Sequence, residues 1–359
     1  MYIGWVALLA LGVVASGFRV RISPCVKAYL GFFIAYYSFC FICSAAGQPH
    51  LSSRYLNILP IPLLVMVVAG LFSKDFDAES IRKIAVTYVV SALIFGIWIH
   101  YTYFASYSSW LSYRAGYLFE TKNSAAQTIG TAVYMIFFIV ASDEGKSRRR
   151  FIWYAIAAYL VILLGICQAR TSLLGIAVSM LVYAFRYSKK QLQWIAGTLV
   201  VGLIAIQIPA VQTYINKVFE FNKYANADLN TISSGRWYGY IQAFAAFREK
   251  PFIGQGNWYI DNSYLSILTE SGIIGFLLIE PIWIERIRIN YKEPTLRGNV
   301  IGTNLRNFVI LLTIFYFIES LLEAFPPFGP GVTCFGYWFM CEAIYGFGLN
   351  NKNTEELAA

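Results

Sequence analysis

Charge is scarce in this chain, and histidine is scarcer still. Lys, Arg, Asp and Glu supply 13% of the 359 residues, and histidine occurs only at His50 and His100. Soluble domains carry about a quarter charged residues, so an ordinary water-facing globule is excluded. With so little histidine there is no imidazole cage, and the 19 acidic residues are scattered rather than clustered, so neither a metal nor another cofactor is expected. No low-complexity linker, internal repeat or separate soluble domain interrupts the sequence. The six cysteines, Cys25, Cys40, Cys43, Cys167, Cys334 and Cys341, fall within or beside apolar runs. That placement argues against a disulfide framework, and the redox-type spacing of Cys40 and Cys43 reads as helix packing.

Apolar residues take up what charge leaves, at 58% of the chain and a mean hydropathy of +0.57. The apolar runs last about as long as a helix needs to cross the hydrocarbon, and they lack the ten-residue alternation of a membrane barrel. The expectation is an all-α, polytopic membrane protein: one integral membrane domain over residues 1–359 with about eleven spans. These fall near 2–17, 28–46, 55–72, 84–104, 124–142, 151–167, 171–185, 192–209, 263–280, 307–325 and 331–348. The first run has neither a basic leader nor a good cleavage site, so it reads as a span and not as a removed signal. The polar tail after 349 reads as disordered.

Most of the 28 lysines and arginines fall on one side of this arrangement. By the positive-inside bias that side is cytoplasmic, which places the C-terminus inside and the N-terminus outside. The net charge of +9 then reflects topology and attraction to anionic headgroups, and does not suggest nucleic acid. The cations left outside are Arg54, Arg114, Lys122, Arg170, Lys217, Lys223, Arg236, Arg248 and Lys250. Arg54, Lys217, Lys223, Arg248 and Lys250 read as solvated loop charges. Arg170 differs, because QART connects two apolar spans within a few residues and sets its charge at membrane depth. Such a charge is costly unless it is paired or lines a wet cavity.

The longest polar stretch is the outer loop at 210–262. Within it, Trp237, Ile241, Phe244 and Phe247 share about one face after a Ser233-Ser234-Gly235 start, which predicts an amphipathic helix on or near the membrane. Arg236 would occupy its first turn, where free backbone N–H groups favour an anion. Pro251 ends the helix, and Gly254 and Gly256 permit tight turning. Asp261 is either a base or an ordinary turn former. Glu319 and Glu323 lie one helical turn apart on one face, as alternative bases or as partners for an arginine such as Arg170. Tyrosines and tryptophans crowd this loop, where they suit stacking on a ligand as well as a membrane-interface belt.

Gly235-Arg236, then EKPFIGQG at 249–256, DNSYL at 261–265 and TESGIIG at 269–275 resemble the signature of the O-antigen ligase and Wzy-type polysaccharide polymerase superfamily. QARTS at 168–172 and KNSA at 122–125 resemble its Arg-bearing short turn and its Asn-containing span entry. The resemblance implies a GT-C-like membrane glycosyltransferase in the bacterial inner membrane, with its site facing the periplasm. It implies an undecaprenyl-diphosphate-linked oligosaccharide as donor and acceptor, membrane lipid as surroundings and a chain-length regulator as a possible partner. Arg170 and Arg236 would hold the diphosphate, with Arg114 and Lys122 in reserve, Asn123 would join the substrate contacts, and Asn262 and Tyr264 would be sugar contacts or caps. Ligases of this family usually carry histidine where this chain has Asp261. The departure favours a polymerase, with ligation to another acceptor or transport of a lipid-linked glycan as alternatives.

Overall fold

The computed structural model describes residues 2–15, 23–72, 77–104, 122–142, 147–187, 207–219, 228–233, 235–292, 300–329 and 334–358. All regular structure among them is helical. In order these helices are α1 (Tyr2–Ala15), α2 (Pro24–Ala45), α3 (Arg54–Ile58), α4 (Pro60–Phe72), α5 (Ala78–Tyr103), α6 (Lys122–Ala141) and α7 (Ser147–Ile166). They continue as α8 (Arg170–Tyr187), α9 (Pro209–Phe219), α10 (Leu229–Ile232), α11 (Arg236–Glu249), α12 (Ser263–Lys292), α13 (Val300–Leu322) and α14 (Phe335–Ala358).

Among the described residues, six stretches are long and apolar enough to cross a membrane: Pro24–Ala45, Arg54–Phe72, Ala78–Tyr103, Lys122–Ala141, Ser263–Ile282 and Gly302–Leu322. Arg150–Ile166 and Arg170–Phe185 are apolar but shorter. The chain is therefore a helical, multi-pass membrane protein, and the described residues do not test the count of eleven spans. The described part of the first run is the helix Tyr2–Ala15, and most of 192–209 lies outside the described residues. The tail expected to be disordered instead continues α14 to Ala358, because its Lys, Glu, Leu and Ala are good helix formers.

Helices also begin earlier than the apolar runs do. Asp77 caps α5, its Oδ1 accepting the Ser80 N–H at 2.7 Å, and Glu79 pairs with Lys83 at 2.8 Å on the first exposed turns. Capping and helix propensity set the start, whereas hydropathy marks only the part facing lipid. Ser23 and Pro24 do the same for α2, with the Val26 N–H on Ser23 Oγ at 3.1 Å.

The core is aromatic and stitched by a few polar pairs. Tyr29 meets Trp338 edge-on and donates to the Leu59 carbonyl at 2.7 Å, while Trp338 Nε1 donates to the Pro327 carbonyl at 2.7 Å. All six cysteines are buried free thiols. Helix α13 packs most extensively on α8 and also on α6, α12 and α14. In lipid such contacts rest on close packing and internal hydrogen bonds, since apolar burial gains little there.

The feature that positions the site is a break in α12. Gly272 leaves the helix at φ 64°, ψ −169°, a region open essentially to glycine alone. The break frees backbone groups that the 250–256 segment satisfies. Gln255 and Gly256 donate to the carbonyls of Thr269 and Glu270 at 2.8 Å each, and Ile273 and Ile274 donate to those of Pro251 and Phe252 at 2.9 and 3.2 Å. Gly254 makes the approach possible, since a Cβ there would sit 2.5 Å from the Glu270 carbonyl carbon. On the far side of the segment, His50 Nε2 contacts the Ile253 carbonyl at 2.5 Å and Lys250 Nζ donates to Gln48 Oε1 at 2.7 Å. Four backbone hydrogen bonds thus staple the turn after α11 into a membrane-spanning helix, where unsatisfied backbone is expensive.

Candidate functional site

Several helix ends converge where this staple leads: the starts of α3, α6, α8 and α12 and the end of α13. Tyr55 donates to the Ala324 carbonyl at 2.8 Å and lies 3.2 Å from the Ser263 carbonyl. Asn262 Oδ1 caps α12 through the Leu265 N–H at 2.9 Å, and its Nδ2 donates to the Leu321 carbonyl at 2.9 Å. Both ends of the Asn262 amide make hydrogen bonds within the protein, so Asn262 is a cap of α12. Asn262→Ala is expected to cost about 1–2 kcal/mol, a typical N-cap loss. The check is a lowered thermal midpoint in detergent that Asn262→Ser partly restores.

Arg236 stands at the centre of this end. Gly235, at φ 87°, precedes it and turns the chain into α11, so the guanidinium reaches across to α13. Nη2 lies 3.0 Å from Glu323 Oε1, and Nε lies 3.8 Å from Asp261 Oδ2. At that distance Nε makes no hydrogen bond to Asp261, and it is buried without a partner. The side chains of Arg236, Asp261 and Glu323 are 24%, 38% and 10% exposed, so Asp261 is the carboxylate most open to an incoming group.

The start of α11 differs from the expected anion site. Arg236 N–H donates to the Ser233 carbonyl at 3.2 Å, Trp237 N–H to Ser233 Oγ at 2.8 Å and Tyr238 N–H to Asn230 Oδ1 at 3.0 Å. The free donors of a helix start are already occupied, so any anion here would be held by the arginine side chain and not by backbone. Helix α11 buries Ala243 and Ala246 against α12 and exposes Trp237, Ile241 and Phe244. Three of the four face residues expected thus point away from the protein, while Phe247 is only half-buried.

The two glutamates of α13 separate. Glu323 takes Arg236 as its partner, and Asn123 and Lys122 lie close enough to act on its carboxylate. Glu319, one turn deeper and fully buried, accepts from Ser172 Oγ at 2.5 Å and from Gln127 Nε2 at 3.3 Å. Of the two, Glu323 has an arginine partner, and neutral donors hold Glu319. Arg170 is the first residue of α8, two positions before Ser172, and Lys122 also acts on nearby Cys167. The structure therefore gathers Arg236, Asp261, Glu323, Asn123 and Lys122, with Glu319 and the start of α8 one layer below. Tyr264 packs against Phe317 on the α12 to α13 side. Arg114 lies outside the described residues.

Three contributors were missed or discounted in the sequence. Gln127 was detectable as a polar residue one turn after Asn123 inside an apolar helix. Tyr259 donates to Asp261 Oδ1 at 2.8 Å. Burial first, and then this hydrogen bond to a carboxylate, raise the Tyr259 phenol above its ordinary range, so the proton stays on Tyr259. Arg54, read as an idle loop charge, lays its guanidinium 4.5 Å from the centroid of the Tyr259 ring. Among the described residues no three His, Cys, Asp or Glu side chains converge as a metal-holding group.

Residues 155–260 match the family model described as O-Antigen ligase. The match takes in Arg170 and Arg236 and stops one residue before Asp261; both glutamates of α13 lie beyond it. No curated protein matches the chain.

Proposed function

We propose that this chain, which belongs to the O-antigen ligase and Wzy-type polymerase superfamily, is a polysaccharide polymerase. It would join undecaprenyl-diphosphate-linked oligosaccharide repeats at the periplasmic face of a bacterial inner membrane, without a metal. Members of the family are glycosyltransferase-like enzymes acting on lipid-linked glycans. The observation that carries the reading is Arg236, held between two carboxylates with its Nε buried and lacking a hydrogen-bond partner.

In the reaction an acceptor sugar hydroxyl attacks the anomeric carbon of the donor. The new glycosidic bond forms as the bond from that carbon to the diphosphate breaks, and the diphosphate leaves with the electron pair. Arg236 offers the leaving group a planar fork of N–H donors, and charge that develops there is met by a fixed cation. Arg170 and Lys122 add positive potential from the starts of α8 and α6. Asp261, with Oδ1 tied to Tyr259 and the more exposed carboxylate of the pair, receives the hydrogen bond of the acceptor hydroxyl and then its proton. Glu323 keeps Arg236 in place between turnovers. Asp261 stands where ligases of the family usually carry histidine, which supports polymerisation over ligation.

A host strain carrying Arg236→Ala tests this reading. Polymer is expected to be lost while single lipid-linked repeats accumulate on the periplasmic face. Repeats trapped on the cytoplasmic face would instead indicate transport, and full-length polymer left unattached to its acceptor would indicate ligation.

A further inference from the structure

We propose that Arg54 forms a second anion subsite at the rim of the site, holding a carboxylate or phosphate carried by a sugar of the acceptor glycan. The inference rests on the reading of the site as a glycan-joining centre. It is carried by how the protein fixes and leaves open this one cation.

The backbone at Arg54 is held firmly. Its N–H donates to Glu270 Oε1 at 3.0 Å, and Glu270 belongs to the stapled segment at the break in α12. The side chain is exposed and lies across Tyr259, its Cζ 4.5 Å from the ring centroid. The ring is backed by Phe325, centroid to centroid 6.0 Å. Glu270 binds the Arg54 backbone, Asp261 binds Tyr259, and Glu323 binds Arg236. No carboxylate among the described residues forms an ion pair with the Arg54 guanidinium.

A guanidinium lying over an aromatic ring satisfies one face by cation–π attraction. The Arg54 side chain is exposed, so its N–H donors remain available as a fork that matches a carboxylate or phosphate bidentately. The subsite is one side chain from the reaction centre, because the Tyr259 ring beneath Arg54 carries the hydroxyl that holds Asp261. Arg236 is closed in between two carboxylates, whereas Arg54 is open to the outside. The diphosphate belongs at the first, and an acidic group borne by the glycan fits the second. The substrate class that follows is a repeat unit containing an acidic sugar, with Arg54 as a specificity determinant.

Binding to purified full-length protein in nanodiscs tests the proposal with three probes: a glucuronate-containing disaccharide, its neutral glucose counterpart and undecaprenyl diphosphate. The wild type is expected to prefer the acidic disaccharide at least tenfold over the neutral one. Arg54→Gln should remove that preference, Arg54→Lys should keep part of it, and undecaprenyl diphosphate should bind both variants within twofold of wild type. Equal or undetectable binding of the two disaccharides to the wild type would overturn the proposal. So would an Arg54→Gln variant that loses undecaprenyl diphosphate but not the acidic sugar, since Arg54 would then serve the donor lipid. None of these readouts depends on turnover, so loss of the subsite and loss of the polymerase reading are separable.

Discussion

Arg236→Ala is expected to lower turnover of the lipid-linked repeat by about 10³-fold, the scale seen when a preorganised donor to developing negative charge is removed. Arg236→Lys should recover a minor part, since an ammonium supplies charge without the planar fork. The Ala variant also strands Glu323, which is only 10% exposed and loses its 3.0 Å partner. Breaking a buried pair from one side costs about 3–5 kcal/mol, so some instability should accompany the loss of activity. The double variant Arg236→Ala with Glu323→Gln separates the two effects. It should regain thermal stability in detergent and remain inactive. Recovery of activity together with stability would mean that Arg236 serves the fold and not the leaving group.

The second large effect belongs to a glycine with no role in the chemistry. Gly272→Ala is expected to destabilise by at least about 3 kcal/mol, because alanine is strained at φ 64°, ψ −169°. Its Cβ would also run into the Phe252 carbonyl and the Ile253 amide nitrogen. These are backbone atoms of the stapled segment and cannot move aside without breaking the hydrogen bonds from Ile273 and Ile274. The expected readout is a thermal midpoint lower by ~4 °C or more, or loss of monodisperse protein, with activity falling in parallel because the staple sets the path to Asp261. Gly31→Ala is the control: its Cβ meets nothing within 4 Å in the middle of α2, and it should be neutral or slightly stabilising. An unchanged midpoint for Gly272→Ala would show that the break in α12 is not needed for folding.

Much of the helical layout was legible because lipid imposes a simple rule on sequence. Apolar runs of about 20 residues mark α2, the joined α3 and α4, α5, α6, α12 and α13, and hydropathy alone finds them. It does not find their starts, which Ser23 and Asp77 set by capping, nor the break at Gly272. In the sequence, Gly272 is one glycine among many in apolar helices. The purpose of the paired glycines was likewise invisible: Gly254 lets two backbones meet across some twenty residues of chain, a contact that no local pattern encodes.

The site was legible in part. Arg236 and Asp261 stood out as polar residues near an expected span start, and Glu319 and Glu323 as charges near a span end; three of these four do meet. Their pairing was not readable, because it depends on which helix ends converge. Thus Arg236 meets Glu323 across from α13, and Glu319 is held by Ser172 and Gln127. The start of α11 shows the limit of motif logic. A helix N-terminus suggests an anion site, yet Ser233 and Asn230 already occupy its donors. Arg54 was dismissed for the same reason in reverse: a lone loop cation says nothing until Tyr259 is found beneath it.

Reconstitution of the purified protein in liposomes with the host's undecaprenyl-diphosphate-linked repeat tests polymerisation most directly, with chelator present, no nucleotide sugar, and products resolved by size on a gel. A ladder of polymer lengths from the wild type that disappears with Arg236→Ala is the predicted result. Folded wild-type protein that yields only the single repeat when supplied with the correct substrate would contradict the account.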